Sequence, residues 1–253
     1  MKKKYSLLTL LILLLITFPL FSIEEEVKYN EIDFSAGLSL NYNTAKIKLG
    51  TEDNANSLFY PYLLLEINAD IFDYLTIGVA GGYSQNTFTD PVDFSGLPLS
   101  LRLNKERRGG MVFGLNLKSE ITAFGYFSLL GKAEFLYFKT LKNGKTIDLP
   151  TITGTADIKN SFYQLTVNLF LKYDGLTGIT LFLGPEFNLL KGEISVNEVI
   201  EDIEAGQAVS FSQKQLFGLT SGINIDIGSH MELIMQAGFF TKTSFAAGLF
   251  YIF

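Results

Sequence analysis

Ser161-Phe162-Tyr163-Gln164-Leu165-Thr166-Val167-Asn168-Leu169-Phe170-Leu171-Lys172-Tyr173 alternates between two kinds of side chain. Tyr163, Leu165, Val167, Leu169, Leu171 and Tyr173 share one face; Phe162, Gln164, Thr166, Asn168, Phe170 and Lys172 share the other. A period of two marks a strand with unlike faces, because successive Cβ atoms leave a strand on opposite sides. Tyrosines bound the apolar face. At about 3.3 Å per residue, Tyr163 and Tyr173 lie roughly 33 Å apart along the strand. A tilt of about 40° reduces that to ~25 Å, the height of the apolar band of a membrane barrel.

The same period recurs to the end of the chain. It predicts ten strands near 31–42, 58–69, 74–84, 110–121, 125–138, 161–173, 179–190, 214–226, 231–240 and 243–253. Pro61 weakens the second, since it has no N–H to give to a ladder. Discarding two weak strands would leave eight. Adding the alternation Leu97, Leu99, Leu101, Leu103 would make twelve, unless that run is a hairpin standing above the membrane. Connections alternate between short (70–73, 122–124, 174–178, 227–230) and long (43–57, 85–109, 139–160, 191–213), and only the last, through Thr241-Lys242, breaks the series. Antiparallel strands with short turns at one end and long loops at the other predict an all-β, up-and-down transmembrane β-barrel.

Composition agrees. The charged fraction is 18% and the hydrophobic fraction 47%, with 23 Phe, 12 Tyr and no Trp among 253 residues. So few charges argue against an ordinary cytosolic domain. The absence of Cys removes disulfides and thiol chemistry, a single His leaves no multi-His metal site, and a net charge of -6 gives no footprint for nucleic acid. Neither a cofactor nor a metal is implied.

Residues 1–22 read as a signal peptide: Lys2, Lys3 and Lys4, an apolar run from Leu7 to Phe18, then Pro19 and a small residue at Ser22. The run is shorter than the ~20 apolar residues of a membrane span. Residues 23–253 then form one barrel.

Alternation by itself also suits a soluble barrel with an apolar interior. The thin charge of the polar faces speaks against that, since a water-facing surface carries more. So do the aromatics at strand ends: Tyr42, Tyr83, Tyr137, Tyr163 and Tyr173 read as a membrane-interface girdle. The last residues, Phe245, Ala247, Leu249, Tyr251 and Phe253, form an apolar row ending in an aromatic. This row resembles the insertion signal of bacterial outer-membrane proteins. Residues 23–253 as a whole resemble small bacterial outer-membrane barrels, the porin-like and OmpA- or OmpX-like kind, with no motif of one subfamily. The resemblance implies the bacterial outer membrane as location, its lipid as surroundings, and periplasmic chaperones and the barrel assembly machinery as partners during biogenesis.

On this reading Glu66, Lys118, Glu120, Lys132, Glu134, Lys172 and Glu186 point into the lumen, where mixed charges are expected to pair and fill the space. Small inward residues on the third, eighth, tenth and first strands, set against bulky ones on the fifth to seventh, suggest either space-filling or an off-centre cavity for a small apolar ligand. Glu193, Glu198, Glu201, Asp202 and Glu204 read as a solvated acidic loop. Lys105, Arg107 and Arg108 read as a basic outer rim beside lipid headgroups or a solvated strand end. His230, in a short turn, is too far from the long loops to serve a site there, and no catalytic residue is assigned. The expected function is surface interaction through loops that take an extracellular ligand, or envelope structure; the alternative is a narrow pore or a barrel that binds a small apolar ligand.

Overall fold

The structure, a computed structural model, describes residues 32–50, 55–71, 74–98, 101–103, 107–141, 143–149, 152–201 and 203–253. The signal-peptide segment, Leu99, Lys105 and Asp202 lie outside them. The strands are β1 (Asp33–Leu49), β2 (Ala55–Phe59), β3 (Tyr62–Ile71), β4 (Leu75–Phe88), β5 (Val92–Phe94), β6 (Leu101–Leu103), β7 (Arg108–Phe124) and β8 (Phe127–Thr140). They continue with β9 (Asn143–Leu149), β10 (Ile152–Leu176), β11 (Ile179–Ile200), β12 (Ile203–Gln213), β13 (Phe217–Ile227), β14 (Met231–Phe239) and β15 (Lys242–Ile252).

Antiparallel pairing runs β1–β3–β4–β7–β8–β10–β11–β13–β14–β15 and closes from β15 back onto β1, giving a ring of ten strands. The last strand meets the first from Ser35↔Ile252 to Ala45↔Lys242, so the ring has no free edge. Short turns close one end, here called the base. Gly125, Gly178 and Gly228 take positive φ there, as tight hairpin loops require. Outward faces carry Leu38, Leu40, Leu65, Val79, Phe113, Leu115, Leu171 and Leu183, all exposed, as a continuous apolar belt. A belt of this size needs lipid against it.

The expectation of long loops at the other end needs correcting, because the strands continue there as β-structure. β2 and β3 form one wall position interrupted at Tyr60-Pro61, and β12 with β13 form another interrupted at residues 214–216. β9 extends the line of β8 along β10. β14 and β15 stop short, and β12 pairs β1 directly through Ile47↔Gln213, Lys48↔Ser212 and Leu49↔Phe211. The ring therefore narrows to eight positions, β1–β2–β4–β7–β8–β10–β11–β12, forming a head above the ten-stranded base. The short last hairpin, anomalous in the pattern of connections, is the step between the two.

Polarity inverts at that step while the strands run on. On β1 the outward face changes from Phe34, Leu38, Leu40 and Tyr42 to Thr44, Lys46 and Lys48, and the inward face from Ser35, Ser39, Asn41 and Asn43 to Ala45 and Ile47. On β10 the outward row from Tyr163 to Tyr173 gives way to Lys159, Asp157 and Thr155, with Ile158 and Ala156 buried inside. The base is apolar outside with a partly polar lumen. The head is the reverse, as water on its outer surface requires.

Candidate functional site: the lumen and its closure

An aromatic layer crosses the lumen where the head begins. Phe138 and Phe162 stack at 4.3 Å and 9°. Tyr60 meets both edge-on at 5.8 and 5.7 Å, and Phe211 bridges Phe162 to Phe88. Inward alternation places all of them, and each is buried. Ile47, Leu58, Ile158, Ile194 and Val196 pack with this layer in one core. The hairpin β5–β6 adds Val92, Phe94, Leu97 and Leu103 to that core. The Gly96 amide donates to Gln207 Oε1 on β12 at 2.9 Å, tying the hairpin to the head. Leu97, Leu101 and Leu103 of the leucine-rich run thus pack in the head from a separate hairpin, and the ring has ten strands rather than twelve.

Below the aromatics the lumen is polar. A cavity of about 90 Å³ is lined by Ser39, Asn41, Asn43, Glu66, Lys132 and Glu134 among others. Ser39 Oγ donates to Glu66 Oε1, and Lys132 Nζ lies 3.9 Å from Glu134 Oε1. Thr166 Oγ1 accepts from Gln164 Nε2 at 2.9 Å and Asn188 Nδ2 at 3.0 Å. A second cavity of about 100 Å³ opens nearer the base, sharing Lys132, Ile234 and Gln236 with the first. Lys118, Lys132 and Lys172 all line it.

The structure gathers Glu66, Lys132 and Glu134 at one cavity and Lys118, Lys132 and Lys172 at the other. Glu186 stands apart at the step, buried, accepting from Thr220 Oγ1 at 2.8 Å and Thr241 Oγ1 at 2.5 Å. Glu120 sits at a register shift near the base. Lys172 pairs with Asp174 at 3.0 Å and Lys132 lies 3.9 Å from Glu134, while Lys118 is directly opposite Lys132 in register. Small inward residues are covered by bulky neighbours on adjacent strands: the Phe250 ring fills the space beside Gly37, and Phe182 that beside Gly222. Ser39, Ser244, Ala246 and Gly248 of the small-residue wall line part of the 90 Å³ cavity, so the void there is small and partly polar.

Tyr42, Tyr83 and Tyr137 are exposed on the outward face near the step, and Phe135 stacks on Tyr163 at 6.1 Å. Tyr173 lies near the base, 5.0 Å from Phe127. Phe245, Leu249, Tyr251 and Phe253 are exposed on the outer face of β15, with Ala247 half-buried in the same row. Two other expectations need correcting. Arg108 is buried on the inward face of β7, and among the described residues of that group Arg107 is exposed; Glu198 is buried on the inward face of β11 and does not belong to a solvated acidic loop. Both follow from alternation continuing into the head. Its sequence signal was available in Ala156 and Ile158, or Ile194 and Val196, spaced by polar residues. Lys242 carried no such signal: it reads as a hairpin-turn lysine, and closure of β12 over it makes it a buried lumen residue.

His230 is exposed at the base, hydrogen-bonded to Ser229 Oγ at 2.5 Å and stacked on Tyr251 at 5.9 Å. Among the described residues no group of three or more His, Cys, Asp or Glu side chains could hold a metal ion.

A closed antiparallel ring with an outward apolar belt and an inward polar layer defines the chain as an all-β transmembrane barrel. No protein-family model and no curated protein matches it. Solved structures similar to it are outer-membrane barrels. They include the outer-membrane protease OmpT of Escherichia coli, at 11% identity over 90% of this chain and 99% of that one, TM-score 0.45. OprG of Pseudomonas aeruginosa is similar at 13% identity over 89% and 97%, TM-score 0.44. Ail, the attachment invasion locus protein of Yersinia pestis, solved with a heparin analogue, is similar at 10% identity over 87% and 99%, TM-score 0.33.

Proposed function

We propose that the chain is a non-enzymatic integral protein of the bacterial outer membrane, with a closed lumen and a rigid extracellular head that serves surface interaction or envelope structure. Residues 1–22 direct export, the base faces the periplasm, and the outward row ending at Phe253 is read by the assembly machinery. The observation that carries this reading is the buried aromatic layer of Tyr60, Phe138, Phe162 and Phe211 beneath a head packed with apolar side chains. Water and ions do not cross such a layer without opening it. Small solutes should therefore be stopped.

Purified protein in planar bilayers tests the reading directly. It should show no steady single-channel conductance, and reproducible openings would transfer support to a narrow passage. That second reading draws on the polar cavity below the aromatics and on the plugging hairpin β5–β6, whose removal would be its natural gate.

A further inference from the structure

Lys118 on β7 and Lys132 on β8 are directly opposed across the ladder, and Lys172 on β10 lines the same cavity. Like charges placed opposite each other on neighbouring strands repel. Two of the three have a carboxylate at hand: Lys172 with Asp174 at 3.0 Å, and Lys132 with Glu134 at 3.9 Å. Among the described residues Lys118 has no ion pair within 4 Å; Glu232, which accepts from Asn224 of the cavity lining, is the carboxylate that attracts both Lys118 and Lys172. Beside the ammonium groups the wall is apolar. Phe170 and Phe182 meet edge to face at 5.0 Å, and Leu130 adjoins them.

Lumen-filling charges ordinarily alternate in sign, so that each desolvated group has a partner. Here three lysines and two phenylalanines line about 100 Å³ of space, and Glu134, Asp174 and Glu232, which offset the lysines, are set back from that lining. One water needs roughly 15 Å³ of such space, so the cavity takes a group of several heavy atoms, smaller than a lipid. A compact organic anion meets both demands: its carboxylate relieves the repulsion between Lys118 and Lys132, and its apolar body covers Phe170 and Phe182.

We propose that the base cavity is a binding site for small monocarboxylates with an aromatic or short branched apolar body. The head takes no part in it. A conductance found in bilayers would change the proposed function and leave this site standing; its own failure would leave the closed head untouched.

The test uses the full-length barrel refolded in dodecyl maltoside, with ¹⁹F NMR of 4-fluorobenzoate as the readout and 4-fluorobenzyl alcohol as the neutral counterpart. Binding of the carboxylate should saturate, be competed by unlabelled benzoate, and be at least tenfold tighter than that of the alcohol. Lys118→Met should weaken it about tenfold or more, Lys118→Arg should retain it within about threefold, and Leu130→Phe should abolish it by filling the cavity. Each variant is first shown to be folded by its shift in electrophoretic mobility on heating. Absence of saturable binding overturns the proposal, as does equal affinity for the alcohol or undiminished binding by folded Lys118→Met.

Discussion

Thr241 at the tip of the last hairpin donates its hydroxyl to Glu186 Oε1 at 2.5 Å, joining two residues 55 positions apart inside the barrel. Thr220 occupies the other carboxylate oxygen, and Gln213 Nε2 donates to the Thr241 carbonyl at 2.8 Å. This buried node lies where ten strands become eight. It pins the β14–β15 tip beneath β12, and Lys242 supplies balancing charge. Without such partners a carboxylate there would be costly to bury.

Thr241→Val keeps the shape of the side chain and removes its donor to Glu186. A hydrogen bond to a charged group contributes about 1.5–3 kcal/mol, and urea unfolding in lipid vesicles should show a loss of that order. An unchanged midpoint would mean that the node does not hold the hairpin.

The inversion of polarity along one strand face can be read with two arginines. Val167 and Thr155 both point outward on β10, one in the apolar belt and the other in the head. Val167→Arg should cost about 2–4 kcal/mol near mid-bilayer. Thr155→Arg, at an exposed position outside lipid, should stay within about 0.5 kcal/mol. Equal costs would mean that the belt and the head share one environment.

Closure of the head rests on β12 reaching β1, and the chain offers a background free of cysteine for testing it. Lys48 and Ser212 are directly opposed in register. Antiparallel partners lie about 4.5–5.5 Å apart at Cα, inside the range a disulfide spans. Lys48→Cys combined with Ser212→Cys should crosslink on mild oxidation in the folded protein and not in urea. Failure to crosslink in folded protein would open the head.

Ile194 is fully buried in the head core. Truncating a buried isoleucine to alanine costs about 2–5 kcal/mol. Hydrogen exchange of Ile194→Ala should show lost protection at head amides of β11 and β12, with the base strands keeping theirs. Loss confined to the base would contradict an apolar core in the head.

Removing Phe253 shortens the outward row of β15 without touching the lumen. Outer-membrane insertion in cells should fall several-fold while refolding into detergent persists. Normal insertion in cells would separate this row from recognition by the assembly machinery.

The number of wall strands, their antiparallel order and the direction of each face were legible in the chain, because alternation is a local consequence of backbone geometry and lipid contact selects which face is apolar. Tyr163 and Tyr173 already bounded the outward apolar row of β10. The head was legible only in fragments. Ala45 and Ile47, or Ile194 and Val196, show the right period but resemble loop residues until β12 meets β1. That pairing joins residues more than 160 positions apart, and no local pattern encodes which edge a distant strand will satisfy. The same closure buries Lys242 and encloses Glu198, because inward side chains of distant strands acquire their neighbours only when the ring shuts.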